Sequence, residues 1–248
     1  MTDLSGTTAL VVGGGRGLGR GIALAFADAK ASVVAVARTG RDLDELAAAS
    51  GRIRAETADA TDPEAAWRLL DRYEPGVLVL VAGAGPVMRP LQHQTWETFS
   101  ANWNADVKIA FTWLREALLQ PLPPGSRIVV VSSGAAIGGS PASGGYAGAK
   151  AAQRFIAGYA QDESDRAGLA LTVTTVLPKI TPFGEVGRRG IRAYAARNGE
   201  TEDAFLQRLG DPLTPEQAGS AVLGLVRTDP EALAAGYMLT AAGLAELP

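Results

Sequence analysis

The 248-residue chain has no cysteine and a single histidine, His93. The first absence excludes disulfides and thiolate metal sites, and the second excludes a histidine-cluster metal site. There is no excess of positive charge: the net charge is −3 and the pI about 5.3, so nothing points to nucleic acid, whose partners carry a strongly basic face. No apolar run approaches the roughly 18 residues that suggest a membrane span. The start, Met1-Thr2-Asp3-Leu4-Ser5-Gly6, carries an acid and no apolar run, so it does not read as a signal peptide and the expected location is cytoplasmic. No repeat or low-complexity linker divides the chain. His93 reads as a surface or loop residue.

What is present is an ordinary core composition, 47% hydrophobic, rich in glycine and alanine. Apolar runs at Thr8–Val12, Ser32–Ala37, Arg52–Ala58, Val77–Ala82, Ile128–Val131, Leu169–Leu177 and Tyr237–Thr240 read as strands. Helical spacing separates them: Arg20–Ala29, Asp42–Ala49, a helix opening at Asp62-Pro63-Glu64, a long helix over Glu97–Leu119, another over Gly148–Arg166, and one over Pro215–Val226. Trp96, Trp103 and Trp113 are expected to pack the first long helix. Strands alternating with helices predict one α/β domain over residues 1–248: a doubly wound, mostly parallel, seven-stranded Rossmann-type sheet with helices on both faces. The polar segment Thr181–Asp211 carries one expected helix, Glu202–Leu209; it is too long for a plain connection and reads as a lid over the substrate. Its arginines, Arg188, Arg189, Arg192 and Arg197, read as solvated, or as a surface for an anionic substrate.

Gly13-Gly14-Gly15-Arg16-Gly17-Leu18-Gly19 follows the first strand at once and opens a helix. Strand, glycine turn and helix in this order form a dinucleotide-binding fingerprint. The glycines let backbone approach a pyrophosphate, and the helix N-terminus offers free N–H groups. At the end of the second strand, where an acid would hold a ribose 2′-hydroxyl, stand Ala37 and then Arg38. A guanidinium there binds a 2′-phosphate that a carboxylate would repel, and Arg16 reaches the same group, so the expected cofactor is NADP(H).

The stretch Ser126–Lys150 begins as a buried β-branched strand, breaks into small residues at Ser132-Ser133-Gly134, and ends with Tyr146 and Lys150 at i and i+4. That spacing lays an ammonium beside a phenol on one helix face. A phenol in water ionises near pH 10, too high for an efficient proton carrier at neutral pH. An ammonium ~4 Å from a phenolate stabilises it by about 4 kcal/mol at an effective dielectric of roughly 20, enough to bring it into range.

In this set the chain resembles the short-chain dehydrogenase/reductase superfamily, short single-domain type, over nearly its whole length. The residues that carry the resemblance are Gly13-x-x-x-Gly17-x-Gly19, Asp59, Ser133 thirteen positions before Tyr146, Tyr146-x-x-x-Lys150 and Pro178. The resemblance implies a Ser133–Tyr146–Lys150 catalytic set with Asp106 where the family has an asparagine. It implies cofactor contacts from Gly13, Gly15, Arg16, Gly17, Leu18, Gly19, Arg38, Asp59, Ala60, Ala82, Gly83, Tyr146, Lys150 and Pro178, with no metal. Asp59 is expected at the adenine and Gly83 beside the ribose. The implied reaction passes hydride between a nicotinamide and a small-molecule carbonyl or secondary alcohol, as in ketoreductases. The implied assembly is a homodimer or homotetramer through the two long helices.

Several positions depart from the pattern. Leu80-Val81-Ala82-Gly83 replaces Asn-Asn-Ala-Gly, Val12 replaces a threonine, and Lys179 replaces a glycine. Asn104 sits two positions from Asp106, in a different register. Asp106 can accept a hydrogen bond from a water beside Lys150, but its charge would partly cancel the lysine's effect on Tyr146. Two other readings stand beside the oxidoreductase: an NADP-binding sensor or scaffold without turnover, and a related enzyme of net non-redox chemistry.

Overall fold

A computed structural model describes residues 3–247; Met1 and Thr2, with which the start read above begins, and Pro248 lie outside the described residues. The elements alternate along the chain: β1 Thr8–Val12, α1 Gly17–Asp28, β2 Ser32–Ala37, α2 Gly40–Ala49, β3 Ile53–Thr57, α3 Pro63–Tyr73 and β4 Val77–Leu80. The second half holds α4 Trp96–Asn102, α5 Lys108–Leu119, β5 Arg127–Val131, the short α6 Ala135–Gly138, α7 Gly144–Ala167 and β6 Thr172–Pro178. It ends with α8 Glu185–Asn198, α9 Glu202–Leu209, α10 Pro215–Arg227, β7 Gly236–Thr240 and β8 Gly243–Glu246. The strand order is β3-β2-β1-β4-β5-β6-β7-β8. The seven expected strands all pair in parallel, and β8 adds an antiparallel hairpin at the edge.

The strands are near-continuous apolar runs because both faces of the sheet are covered. On one face Val11, Val33, Val79 and Val129 meet Ile22 and Phe26 of α1, Leu43 of α2 and Val222 of α10. On the other Leu10, Val34, Leu78 and Ile128 meet Leu69 of α3, Trp113 and Leu114 of α5 and Ala157 of α7. Each large side chain so buried contributes about 1.5–3 kcal/mol. The α3 start follows the expected capping: Asp62 accepts from Glu64 N–H at 3.0 Å and Pro63 occupies the first helical position.

The structure departs from the sequence reading in three of its helical segments. The segment expected as one helix over Glu97–Leu119 is α4 and α5 joined by a π turn, Trp103–Val107. Of its tryptophans only Trp113 is buried, donating Nε1–H to Ala60 O at 2.9 Å; Trp96 and Trp103 stay largely exposed. Helix α7 begins at Gly144 rather than Gly148, so Tyr146 already lies in its first turn. The 181–211 segment holds a second helix, α8, which packs on α9 through Ile191, Ala195 and Phe205.

The strand order turns back on itself at β1, with β2 on one side and β4 on the other. The crevice beyond the carboxyl ends of strands at such a point is where ligands bind in open α/β sheets.

Candidate active site

The turn after β1 is built as the motif requires. Gly13 has φ +97°, and a Cβ on it would stand 2.5 Å from Ala82 N; one on Gly19 would stand 2.1 Å from Gly13 O. These two glycines let β1, α1 and the end of β4 touch. Gly17, at φ +54°, faces open space, with nothing nearer than 4.0 Å to an added Cβ. Helix α1 then starts with no side-chain cap and no acidic residue in its first turn. An uncapped N-terminus with open backbone before it fits the pyrophosphate of a dinucleotide.

One cavity of about 780 Å³ runs from this turn across the carboxyl ends of the strands. Every residue that the sequence assigned to cofactor or chemistry lines it: Gly13, Gly15, Gly17 and Gly19 with Arg16 and Leu18, Arg38, Asp59, Ala60, Ala82, Gly83, Asp106, Ser133, Tyr146, Lys150 and Pro178. At the end beyond β2 and β3, Thr61 donates both its backbone N–H and its hydroxyl to Asp59 Oδ1, each at 2.9 Å. These bonds hold the Asp59 carboxyl below the usual carboxylate range, with Arg38 and Lys108 adding to the effect. Arg38 is exposed at the rim. Arg16 pairs with Glu185 of α8 at 3.3 Å, and Glu185 also accepts from Arg189.

At the other end, Ser132 and Ser133 leave β5 together and divide the work. Ser132 is buried and donates its hydroxyl to Lys150 O at 2.8 Å, pinning α7 to the strand; Ser133 lies on the cavity wall. Lys150 Nζ stands 5.6 Å from the centroid of the Tyr146 ring. It also stands 3.5 Å from Asp106 Oδ2 and donates to Gln153 Oε1 at 3.0 Å. Lys150 is 5% exposed and Asp106 0%, so the charges are a buried pair. Single ions so placed are costly, and the pair is held by further bonds. Asp106 Oδ1 accepts from Ala84 N–H at 2.6 Å, and Oδ2 accepts from Asn102 Nδ2 at 3.3 Å.

These bonds account for two of the departures from the family pattern. The backbone beyond β4 is held without the usual asparagines, by Asp106 on Ala84 N–H and by Asn102 Nδ2 on Ala84 O at 2.9 Å. Gly83 leaves room for the Asp106 carboxylate, which lies 2.8 Å from where a Cβ would be. Asn104 is exposed and takes no part, whereas Asn102, one turn before Asp106, was missed by the sequence reading. Lys179 N–H continues the sheet to Leu239 O at 2.9 Å, and its Nζ donates to Leu209 O at the last turn of α9, 3.2 Å away. It is a strap between the sheet and α9.

The outer wall comes from residues the sequence did not single out. Tyr194 of α8 meets Ser140 Oγ through its hydroxyl at 2.6 Å, and Ser140 Oγ meets Ser143 Oγ at 2.5 Å, tying α8 to the loop before α7. Of the arginines in the 181–211 segment, Arg189 and Arg192 are paired with Glu185 and Glu202, while Arg188 lines the cavity and donates to Pro182 O at 3.4 Å. His93 is exposed, as expected. Among the described residues no group of three metal-ligating side chains comes together, and no helix is long and apolar enough to cross a membrane.

A doubly wound parallel sheet with a glycine turn at its switch point and a polar cluster beyond β5 defines a dinucleotide-binding α/β protein of Rossmann type. The chain belongs to the short-chain dehydrogenase family of oxidoreductases, whose description matches residues 7–188. That family binds a nicotinamide cofactor. The chain is 31% identical over 209 residues to the short chain dehydrogenase pgmD of Aspergillus terreus, covering 73% of this chain and 66% of that protein. It is 33% identical over 187 residues to the hydroxynaphthalene reductase-like protein Arp2 of Metarhizium robertsii, covering 71% and 68%. The match thus spans about two thirds of these relatives' own length. A crystal structure of a short chain dehydrogenase from Mycobacterium avium shares the fold, with a TM-score of 0.77 at 24% identity over 99% of this chain and 86% of that one.

Proposed function

We propose that the protein is an NADP(H)-dependent oxidoreductase that interconverts a carbonyl group and a secondary alcohol, working as a soluble cytoplasmic homodimer or homotetramer. The observation that carries this reading is the continuity of the 780 Å³ cavity. It joins an uncapped helix N-terminus flanked by Arg16 and Arg38 to the cluster of Ser133, Tyr146 and Lys150. The nicotinamide supplies or takes the hydride when bound. The glycine turn and the α1 N-terminus would hold the pyrophosphate of the bound cofactor, Arg16 and Arg38 would hold its 2′-phosphate, and Asp59 would meet the adenine.

The residues at the other end manage the oxygen and its proton. Ser133 donates a hydrogen bond to the substrate oxygen and fixes it. In reduction Tyr146 gives its phenolic proton to the oxygen on which negative charge develops, and in oxidation it takes that proton back. Lys150 holds the ribose hydroxyls and stabilises the phenolate by its charge. Helices α8 and α9 form the lid, and the Ser140–Tyr194 contact holds the lid against the loop before Tyr146. The reductive direction is supported by the relatives described as reductases. Asp106 and Asn102 make at Ala84 the backbone bonds of the lost asparagines, and Lys179 ties the sheet to α9, so these departures do not favour the reading without turnover.

The test is oxidation of NADPH, with NADH in parallel, over a panel of ketones and aldehydes by the wild-type protein and by Tyr146→Phe. Turnover that prefers NADPH and falls about 10²–10⁴-fold in the variant, the range for loss of a general acid, supports the reading. Equal rates in the two proteins overturn it.

A further inference from the structure

Gln153 lies one turn beyond Lys150 on α7 and is 1% exposed. Its carboxamide spans two groups that belong to the site. Oε1 accepts from Lys150 Nζ at 3.0 Å, and Nε2 donates to the backbone oxygen of Asp106, in the π turn, at 2.8 Å. The two ends are not interchangeable. Turning the carboxamide over would set an NH₂ against an ammonium and an oxygen against a carbonyl, so both contacts fix the same orientation.

The spacing around the ammonium shows what this does. Ammonium–carboxylate hydrogen bonds draw in to ~2.7–2.9 Å when nothing opposes them. Lys150 Nζ stands 3.5 Å from Asp106 Oδ2 and closer, 3.0 Å, to the neutral amide. Of the three ammonium N–H groups one is given to Gln153, so two remain for Asp106, 3.5 Å away, and for a ligand in the cavity. A primary amide keeps its own protons at neutral pH, so Gln153 transmits position and not protons.

We propose that Gln153 is a positioning residue that holds the Lys150 ammonium off the Asp106 carboxylate, so that its charge stays available to Tyr146 and its free N–H to the cofactor ribose. The inference rests on the reading above, in which Tyr146 and Lys150 carry the proton chemistry. It also answers the cost of a carboxylate at 106. The charge that holds Ala84 N–H would otherwise draw the ammonium away from the phenol.

Gln153→Met keeps the length and volume of the side chain in a flexible apolar form and removes both bonds. Three quantities are to be measured: NADPH affinity by fluorescence, melting of the apoprotein, and the pH–rate profile for carbonyl reduction. With the ammonium free to settle on Asp106, NADPH affinity falls several-fold. The alkaline limb of the profile moves up by about half a pH unit, the effect of ~1 Å of withdrawal at an effective dielectric of about 20. Gln153→Glu serves if the first variant does not fold: it keeps the acceptor and adds a negative charge, which moves the limb further up. Wild-type NADPH affinity together with an unmoved limb in a folded variant overturns the inference, whatever the change in melting temperature. Loss of the underlying reading is seen separately, as a Tyr146→Phe protein that turns over at the wild-type rate.

Discussion

At the end of β2 the Arg38 guanidinium stands at the rim of the cavity, and the proposed preference for NADPH rests on it together with Arg16. Arg38 is exposed and forms no ion pair among the described residues, whereas Arg16 is shared with Glu185. That pair is 71% and 41% exposed, and such surface pairs contribute about 0.2–1 kcal/mol, too little to keep Arg16 from a phosphate. Hydrogen bonds to charged groups are worth about 1.5–3 kcal/mol, so Arg38→Ser should weaken NADPH binding roughly 10- to 100-fold and leave NADH binding as it was. Titration of both nucleotides checks this, and equal losses for the two would remove Arg38 from the phosphate site. Residues of this kind are legible because their role follows from chain position: a strand end, a glycine turn, an i, i+4 pair. Gln153 was not, since its partner is a backbone oxygen 47 positions away that only the packing of α7 on the π turn supplies. Asn102 was within reach of sequence reasoning, one helical turn before Asp106, but the π turn alters the register in which the two were compared.

Helices meet in this fold through glycine, and the same residue type misled the reading of elements. Helix α8 went unread because Gly187 and Gly190 resemble breakers in a polar, arginine-rich stretch. Gly187 is there because a Cβ would stand 1.7 Å from Thr181 O, backbone that cannot yield as a side chain would. The π turn was equally hidden, since the apolar period runs through it, yet it carries Asp106 into the site. Irregular turns of this sort recur at functional positions. The crossing of α1 and α10 gives a test at this scale. A Cβ on Gly21 would lie 2.0 Å from Pro215 O, and one on Gly219 would lie 2.4 Å from Gly21 O, backbone against backbone. Gly21→Ala must push the helices apart and should cost about 1–3 kcal/mol, as overpacking does, and disturb the glycine turn at the head of α1. Gly224→Ala, on the open face of α10 with nothing within 4 Å, should instead gain about 0.5–1 kcal/mol. Chemical denaturation of the two variants checks the contrast, and a stabilised Gly21→Ala protein would show that the crossing has slack.

For the molecule as a whole, both faces of the sheet were legible from the buried runs, and the two long helices were expected to pack on another copy, but which of their side chains face outward is visible only in three dimensions. Helices α5 and α7 lie side by side over one half of the sheet. Their inner sides are buried, and their outer sides present Phe111, Phe155 and Tyr159 to solvent at 55%, 62% and 62% exposure. Burying large side chains of this kind contributes about 1.5–3 kcal/mol each, and a two-fold interface counts every one twice. Small residues stand among them: Gly158 on α7 has nothing within 4 Å of an added Cβ, which lets a second helix approach. The homodimer or homotetramer proposed above would close over this face. Phe155→Glu puts a charge into that interface, opposite its own copy, while leaving the cavity untouched, since Phe155 is not among its lining residues. Sedimentation velocity should then show the assembly reduced to smaller species, with NADPH binding retained by the released subunits because the glycine turn, Arg38 and Lys150 all come from one chain. An unchanged sedimentation coefficient would move the interface off α5 and α7, and the exposed edge strand β8 would be the next surface to charge.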